Sequence, residues 1–184
     1  MSMTARAGLA RLDTGLLRAT RRTLGATPAV PLAQGLSHFG EHALGWLALG
    51  AVGSLAAGPR RPDWVAGTAG VFAAHAAGVV VKRVVRRPRP TLPDVPPLVR
   101  TPSRLSFPSA HSCSTAAAAV GFGPMLGRPL MGGITGLMLV SRVLLGVHYP
   151  SDVLSGAVLG AGVATLVRSR PEPRRPASGR AVRR

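Results

Sequence analysis

Apolar residues dominate five stretches of this chain, and short polar stretches separate them. The apolar stretches cover residues 42–57, 64–81, 112–126, 129–147 and 153–167. An upright helix needs about 20 apolar residues to cross a bilayer, so several of these stretches are near or below that length. We therefore expect five membrane-spanning helices, which flanking polar residues help to reach the interfaces. Gly132 with Gly136, and Gly156 with Gly160, have the spacing at which helices of one chain approach closely.

Residues 3–25 follow a different pattern, that of a basic amphipathic helix. Leu9, Leu12, Leu16 and Leu17 fall on one side of it, and Arg11, Arg18, Arg21 and Arg22 fall on the other. The segment is too polar to span a membrane and lacks the apolar core of a signal peptide, so we expect it to lie on an anionic membrane surface. Nucleic-acid binding is the competing use of such charge. We expect no nucleic-acid partner, because arginine clusters beside membrane spans have lipids at hand.

The composition favours a membrane protein over a soluble one. Of the 184 residues, 46% are hydrophobic, and the net charge of +17 comes from 23 basic residues, all but one of them arginine, against six acids. We predict an all-α polytopic membrane bundle over residues 29–168, preceded by the interfacial helix within residues 1–28. Residues 169–184 form a basic tail that is expected to be disordered. The single cysteine, Cys113, excludes an internal disulfide.

The junction between the fourth and fifth apolar stretches carries three side chains suited to phosphate transfer. Arg142 offers a planar fork of donors that matches phosphate oxygens, and His148 offers a nitrogen that can attack phosphorus or carry a proton. Pro150 interrupts the helix, so a tight corner is expected to bring Asp152 back towards His148. Arg142 and His148 are six residues apart, which a straight helix would not place on one face. Either the last turn loosens at Gly146 or Arg142 reaches around.

A second basic group follows the second apolar stretch. Lys82 is the single lysine of a chain that otherwise uses arginine, which indicates a chemical need for a compact ammonium. Seven residues, two helical turns, separate it from Arg89, so both are expected on one helix face before the prolines flanking Arg89 end the helix. For the intervening arginines we expect a cationic membrane flank; these are Arg83, Arg86 and Arg87.

A third group lies immediately before the third apolar stretch. Pro108 and Ser109 favour the start of a helix, and free backbone amides at such a start bind phosphate. His111 is then expected at the membrane edge beside that anion site. If the second stretch ends at Lys82, the third crosses away and the fourth returns, so His148 comes back to the same membrane side. All three basic groups are therefore expected on one face of the bundle.

In this order, the three groups resemble the signature motifs of the type 2 phosphatidic acid phosphatase superfamily, which includes lipid phosphate phosphatases, bacterial acid phosphatases and vanadium haloperoxidases. The matching residues are Lys82 with Arg89-Pro90, then Pro108-Ser109-Ala110-His111, then Ser141-Arg142 with His148 and Asp152. Ala110 departs from the pattern, since many members have glycine there. The N-terminal amphipathic segment also departs from it, because it stands where the family usually has its first membrane helix.

The resemblance implies a mechanism and the residues that perform it. His148 is implied to attack phosphorus and form a phosphohistidine, Asp152 to orient it, and His111 to protonate the leaving alkoxide and then assist water. The implied phosphate-binding residues are Lys82, Arg89, Ser109, Ala110 and Arg142. Fixed cations and amides are suited to the charge that spreads over the phosphate oxygens. The family mechanism implies no cofactor and no metal.

Other chemistries fit the sequence less well. His38, Glu41 and His42 spell H-x-x-E-H, which can mark a zinc peptidase, but the only other glutamate is Glu172 in the tail. We expect these residues at a membrane interface, lining the mouth of the site. His75, inside the second stretch, is more typical of a packed polar residue than of a catalyst. A non-catalytic basic membrane scaffold and a vanadium haloperoxidase are the alternatives from other classes.

The substrate is expected to be an amphiphile, because the site lies at a membrane face. Within the superfamily, the short chain and residues 37–46 are similar to actinobacterial members that act on decaprenylphosphoryl phosphoribose, which implies removal of the 5-phosphate of a polyprenyl-linked ribose. Undecaprenyl pyrophosphate, phosphatidylglycerophosphate and phosphatidic acid are the alternative substrates. The expected partners are this lipid phosphate and membrane lipids, and the sequence leaves homo-oligomerisation open.

The expected location is the cytoplasmic membrane, with several spans. The basic tail, together with Arg60, Arg61 and Arg128, falls on the face opposite the site, and the positive-inside rule places that face in the cytoplasm. The N-terminal helix adds arginine to the site face as well. On balance the rule favours an extracytoplasmic site.

Overall fold

The computed structural model describes residues 3–169, and the regular elements in that range are helices. They are α1 (Met3–Leu24), α2 (Ala29–Gly40), α3 (Leu44–Ala56), α4 (Arg61–Val85), α5 (Ala110–Leu126), α6 (Arg128–Leu144) and α7 (Pro150–Arg168). Short 3-10 turns, Glu41–Ala43 and Gly58–Arg60, precede α3 and α4. The all-α prediction is confirmed. The prediction of a disordered tail concerns residues that, after position 169, lie outside the described range.

The five predicted spans correspond to α3 through α7. Helix α2 was not predicted as a separate helix, although the segment contains a run of helix-compatible residues from Ala29. By length and composition, two helical stretches, Gly58–Val85 and Pro150–Arg168, suffice to cross a membrane. The helices α5 and α6 have 17 residues each and α3 has 13, so they are shorter than an upright span.

Helix α5 lies at the centre of the bundle and contacts α4, α6 and α7. Its residues from Ser112 to Ala118 are all buried, and all are small. Phe122, near its other end, is also buried and stacks on Trp64 of α4 with ring centroids 5.2 Å apart. Small side chains let the neighbouring helices approach closely, which brings the ends of α4, α6 and α7 around the start of α5.

Two glycines of α7 set the close approach to α5. A Cβ at Gly156 would lie 2.5 Å from the carbonyl oxygen of Ser109, and one at Gly160 would overlap the carbonyl of Cys113. The predicted packing of this glycine pair within the chain is confirmed. For Gly132 and Gly136 the same prediction is wrong, because no heavy atom in the described range lies within 4 Å of a Cβ added there.

Helix α1 lies against the bundle through one narrow face. Leu17 is fully buried and packs with Val95, Val143 and Val153, while Arg21 donates to the carbonyl oxygens of Leu144 (3.0 Å) and Pro96 (2.8 Å). The prediction placed Leu17 on the apolar side of α1 and Arg21 on the opposite, basic side. It is wrong for this pair, because both side chains face the protein. Three other leucines of the predicted apolar face are exposed: Leu9, Leu12 and Leu16.

The chain turns sharply between α2 and α3. His42 (φ 50°) and Ala43 (φ 61°) both adopt the left-handed conformation, which is costly for residues other than glycine. The surroundings fix the corner: Ala43 is fully buried, and Phe39 meets Trp46 edge-to-face with ring centroids 4.9 Å apart. Trp46 also donates from Nε1 to the hydroxyl of Thr115 at 3.0 Å, which attaches the corner to α5.

Candidate active site

The three basic groups meet in one cavity of about 870 Å³. Lys82 comes from α4, Arg89 from the connection after it, Ala110 and His111 from the start of α5, Arg142 from α6, and His148 from the turn before α7. Helix α2 closes one side with Gln34, Ser37 and His38. These six motif residues, spread over 67 positions from 82 to 148, thus surround a single space.

The turn after α6 brings His148 into the same cavity as Arg142. Helix α6 ends at Leu144, three residues before the predicted end, and Gly146 then takes a left-handed φ of 72° that favours glycine. The amide of Val147 donates back to the carbonyl oxygen of Arg142 at 3.3 Å. Of the two arrangements left open by the sequence, the structure shows the loosened turn.

His148 is 2% exposed, and its two ring nitrogens have different neighbours. Nη1 of Arg89 lies 3.0 Å from Nε2. Because a guanidinium has donors only, Nε2 is the accepting nitrogen, and the proton of the neutral ring sits on Nδ1. Nε2 therefore carries the lone pair that a nucleophile needs.

Asp152 lies on the other side of the imidazole. Its Oδ2 is 3.7 Å from Nδ1 of His148, which is longer than a hydrogen bond, and accepts the amide of Tyr149 at 2.9 Å. The predicted corner is present: Tyr149 is extended, Pro150 is the first residue of α7, and Asp152 occupies the capping position two residues later. The carboxylate is thus fixed beside the ring by the start of α7.

Arg89 and Lys82 are held by backbone carbonyls. Arg89 donates from Nε to the carbonyl of Ser103 (2.8 Å) and from Nη1 to that of Val147 (2.7 Å), and Lys82 donates to that of Leu105 (3.1 Å). The prediction that both lie on one helix face is wrong. Helix α4 ends at Val85, where Arg86 turns left-handed (φ 55°), and Arg89 lies in the non-helical connection.

Arg142 offers free donors to the cavity. The side chain is 2% exposed, and within the described part of the chain neither Nε nor Nη1 has a hydrogen-bond partner. Buried donors are rarely left without a partner, so an arginine with two such nitrogens beside a cavity is suited to an anionic ligand. Nε and an Nη of one guanidinium can bind two oxygens of the same phosphate.

His111 is attached to α2. Its Nε2 lies 3.0 Å from the carbonyl oxygen of Ser37, and since a carbonyl only accepts, Nε2 carries a proton. Gly40 provides the space for the ring, because a Cβ there would lie 2.7 Å from the imidazole. Helix α2 thus positions His111, and no periodic pattern in its residues indicates that this helix lies over the site.

Ser109 lies at the start of α5, where it makes hydrogen bonds within the protein. It caps α5 by accepting the amide of Ser112 at 3.3 Å, and its own amide donates to the carbonyl of Asp152 at 3.0 Å. It is fully buried and does not line the cavity, whereas Ala110 and His111 do. In the structure Ser109 joins α5 to α7, and its part in phosphate binding stays a prediction.

Arg87 has a role at the site that its sequence pattern did not predict. Its guanidinium donates to Asp13 of α1 and to Asp152 of α7, both at 2.8 Å, and lies 4.2 Å from the ring centre of Tyr149. The expectation that Arg87 flanks the membrane is therefore wrong. The signal for this contact was Asp13, the one acid within the basic residues 3–25.

The H-x-x-E-H residues line the cavity, as expected for the mouth of the site. His38, Glu41 and His42 belong to its lining, where the chain turns from α2 to α3. Across residues 3–169, no three His, Cys, Asp or Glu side chains are grouped closely enough to hold a metal ion.

The cations around His148 affect its protonation. Burial lowers the pKa of His148 well below its ordinary value, and the positive charges of Arg89, Arg142 and Lys82 lower it further. Burial also lowers the pKa of Arg89, to about 10, so that Arg89 is still charged at neutral pH. A neutral His148 next to charged arginines combines a nucleophile with the cations that attract its target.

We expect an acidic limb of kcat/KM that lies below pH 6.5, the ordinary pKa of histidine being about 6.5. Protonation at Nε2 removes the lone pair, so a lowered pKa keeps the enzyme active to lower pH. Arg89→Gln removes the largest charge that lowers this pKa, and the limb should move to higher pH. The measurement is the pH profile of kcat/KM for both proteins with one substrate. Arg104→Gln, in the same connection, is the control; an equal displacement in that variant would contradict the assignment.

Comparisons with known proteins agree with the motifs. The family described as the PAP2 superfamily matches residues 64–176. The chain is 53% identical to decaprenylphosphoryl-5-phosphoribose phosphatase of Mycobacterium tuberculosis, over 74% of this chain and 77% of that protein. The protein of the same name from Mycolicibacterium smegmatis is 52% identical, over 79% and 82% of the two chains.

A solved structure resembles the fold as a whole. The crystal structure of a transmembrane PAP2-type phosphatidylglycerolphosphate phosphatase from Bacillus subtilis superposes with a TM-score of 0.71 and 26% identity. The match covers 91% of this chain and 86% of that one.

Proposed function

This chain belongs to the PAP2 superfamily and is a membrane phosphatase, and we propose that it removes the 5-phosphate from decaprenylphosphoryl-5-phosphoribose through a phosphohistidine at His148. The observation that carries the proposal is the cavity in which Lys82, Arg89 and Arg142 surround the neutral Nε2 of His148. Two proteins named for that activity are more than 50% identical in sequence to this chain, which supports the choice of substrate.

In the first chemical step, Nε2 of His148 attacks phosphorus, and the bond from phosphorus to the sugar oxygen breaks. His111, doubly protonated at this step, gives the proton on its Nδ1 to the leaving alkoxide, which departs as the alcohol of the lipid-linked ribose, while Nε2–H stays on the carbonyl oxygen of Ser37. Asp152 lies 3.7 Å from Nδ1, so a small approach gives the hydrogen bond that stabilises the positive ring of the phosphohistidine. Lys82, Arg89 and Arg142 balance the charge on the phosphate oxygens.

In the second step, water attacks the phosphohistidine and releases inorganic phosphate. His111 takes the proton of the attacking water, and the bond from Nε2 to phosphorus breaks. The electron pair returns to the imidazole, so the enzyme regains its starting form. Each proton given to the alkoxide is thus recovered from water within one turnover.

The proposed substrate has a second anionic group, the phosphoryl group that joins its ribose to the lipid. Two further arginines, Arg83 and Arg100, line the same cavity and are exposed. Within residues 3–169, the guanidinium of neither arginine has a hydrogen-bond or ion-pair partner. We assign them to the phosphoryl group that stays on the lipid, while Lys82, Arg89 and Arg142 hold the one that leaves. Such a division favours a substrate with phosphoryl groups at both ends of a sugar.

The site is proposed to face away from the cytoplasm. Arg61 begins α4 and Arg128 begins α6, and both lie at the end of the bundle opposite the cavity, with Arg168 at the end of α7. The positive-inside rule places that end in the cytoplasm. The exposed leucines of α1 and its outward arginines fit a membrane interface on the site side.

The proposal is tested by phosphate release from the purified protein in detergent and EDTA. We expect the highest kcat/KM for decaprenylphosphoryl-5-phosphoribose, ahead of undecaprenyl pyrophosphate, phosphatidylglycerophosphate and phosphatidic acid. In the double variant Arg83→Gln/Arg100→Gln, kcat/KM should fall for the first substrate and not for phosphatidic acid, whose only phosphate is the one removed.

Each contrary outcome has a distinct meaning. A higher kcat/KM for phosphatidylglycerophosphate would replace the proposed substrate and keep the phosphatase. An equal fall for both substrates in the double variant would contradict the second phosphoryl site. Release of phosphate from none of them by folded protein would contradict the proposed function and support the scaffold.

A further inference from the structure

Helix α1 reaches the catalytic corner through a buried carboxylate. Asp13 is 2% exposed, and its Oδ1 accepts the amide of Ser151 at 2.9 Å, while its Oδ2 accepts the hydroxyl of the same residue at 2.6 Å. Ser151 is the second residue of α7. Asp13 therefore binds the positive end of the helix that carries Asp152, which is a favourable place for an anion.

Arg87 connects this carboxylate to the one beside His148. Its Nη2 donates to Oδ2 of Asp13 at 2.8 Å, and its Nη1 donates to Oδ1 of Asp152 at 2.8 Å and to Ser151 Oγ at 2.7 Å. The guanidinium also lies over the ring of Tyr149 at 4.2 Å. With Oδ1 of Asp152 occupied by Arg87, Oδ2 is the oxygen turned towards Nδ1 of His148.

We propose that Asp13 and Arg87 are positioning residues for the reaction at His148. Asp13 fixes Arg87, Arg87 fixes the rotamer and the charge of Asp152, and Asp152 acts on the imidazole. The N-terminal helix is thereby part of the catalytic apparatus, although none of its residues lines the cavity. The proposal rests on the proposed function, since it assigns these residues to the same phosphohistidine chemistry.

Stability alone accounts poorly for this arrangement. A buried ion pair contributes little net stability, because desolvation of both partners offsets their attraction. Helix α1 is also attached without it: Leu17 is fully buried, Arg21 donates to two carbonyls, and Arg18 pairs with Asp94 at 2.7 Å. What the buried pair adds is a fixed geometry at Asp152, where a displacement of about 1 Å can cost on the order of 100-fold in rate.

The experiment compares kcat and KM for Asp13→Asn, Arg87→Gln, their double variant and Arg87→Lys, each shown to be folded by gel filtration in detergent. We expect Arg87→Gln to lower kcat by about 10- to 100-fold with KM unchanged, because substrate contacts stay intact. Asp13→Asn should lower kcat less. The double variant should lose no more than Arg87→Gln, since Asp13 acts through Arg87. Arg87→Lys, which keeps one donor for Asp152, should recover part of kcat.

Arg18→Gln is the matched control, because Arg18 attaches the same helix to the same connection without contacting Asp152. We expect its kcat to equal that of the wild type. The proposal is overturned if Arg18→Gln loses as much as Asp13→Asn, if the two single losses add, or if KM rises while kcat is kept. Wild-type release is measured in the same assay, so a failure of the proposed function is seen there and is distinct from these outcomes.

Discussion

Replacing His148 by alanine is expected to lower kcat by roughly 10⁴-fold or more, the scale found when a catalytic nucleophile is removed. The physical reason is that no other described side chain offers a neutral nitrogen to the same point of the cavity as Nε2, where Arg89 lies 3.0 Å away. With a substrate labelled at the terminal phosphate, the wild type should also show a labelled protein after rapid quenching. His148→Ala should show none.

His75→Ala is the matched control for His148→Ala. His75 is another histidine of the cavity lining, on α4 and outside the three motifs, and its Nδ1 is buried without a hydrogen-bond partner in residues 3–169. We expect kcat within a few-fold of the wild type, as for a packed polar residue. Labelled protein in His148→Ala would show that His148 is not the nucleophile. A loss of kcat in His75→Ala as large as that in His148→Ala would also contradict the assignment.

Replacing Arg142 by lysine is expected to lower kcat/KM by about 10²- to 10³-fold, the range for loss of a fixed donor to transition-state charge. Lysine keeps the charge and loses the planar fork, so it cannot bind two phosphate oxygens as the free Nε and Nη1 of Arg142 can. Both kcat and kcat/KM should fall together, because the charge on the oxygens is best matched in the transition state.

The matched substitution is Arg128→Lys, at the opposite end of the same helix. Arg128→Lys should leave kcat/KM unchanged, and inorganic phosphate should inhibit this variant as strongly as the wild type. Arg142→Lys should be inhibited more weakly. A variant with full kcat/KM would show that charge alone is sufficient at this position and that the fork is not used.

The helices and motifs that could be predicted are those whose signal is local. The apolar stretches predicted α3 through α7, and the short motifs around Lys82, His111 and His148 predicted the residues that meet in the cavity. The interpretation of the spacing from Lys82 to Arg89 failed, because the left-handed Arg86 ends α4 before the second turn is complete. Spacing along the sequence thus identified the residues and not their geometry.

What could not be predicted depends on contacts between distant positions. Asp13 meets Ser151 across 138 residues, and no periodic pattern in α1 indicates which neighbour a lone acid will find. Helix α2 was missed for a related reason: its hydrogen bond to His111 comes from a backbone carbonyl, that of Ser37, and every residue has such a carbonyl. Roles that use the backbone leave no trace in the side-chain pattern.

The contact between Arg89 and Nε2 of His148 makes the nucleophile inaccessible until its cover is exchanged. The donor that rests on the lone pair is also a donor that phosphate oxygens attract, so we expect an arriving anion to take over this hydrogen bond while the carbonyls of Ser103 and Val147 keep the guanidinium in place. A neutral amphiphile in the cavity has no anionic oxygens to accept this hydrogen bond from Arg89. We therefore expect the binding of a lipid phosphate to free Nε2 in the same step, and an uncharged lipid of similar shape to leave Nε2 covered.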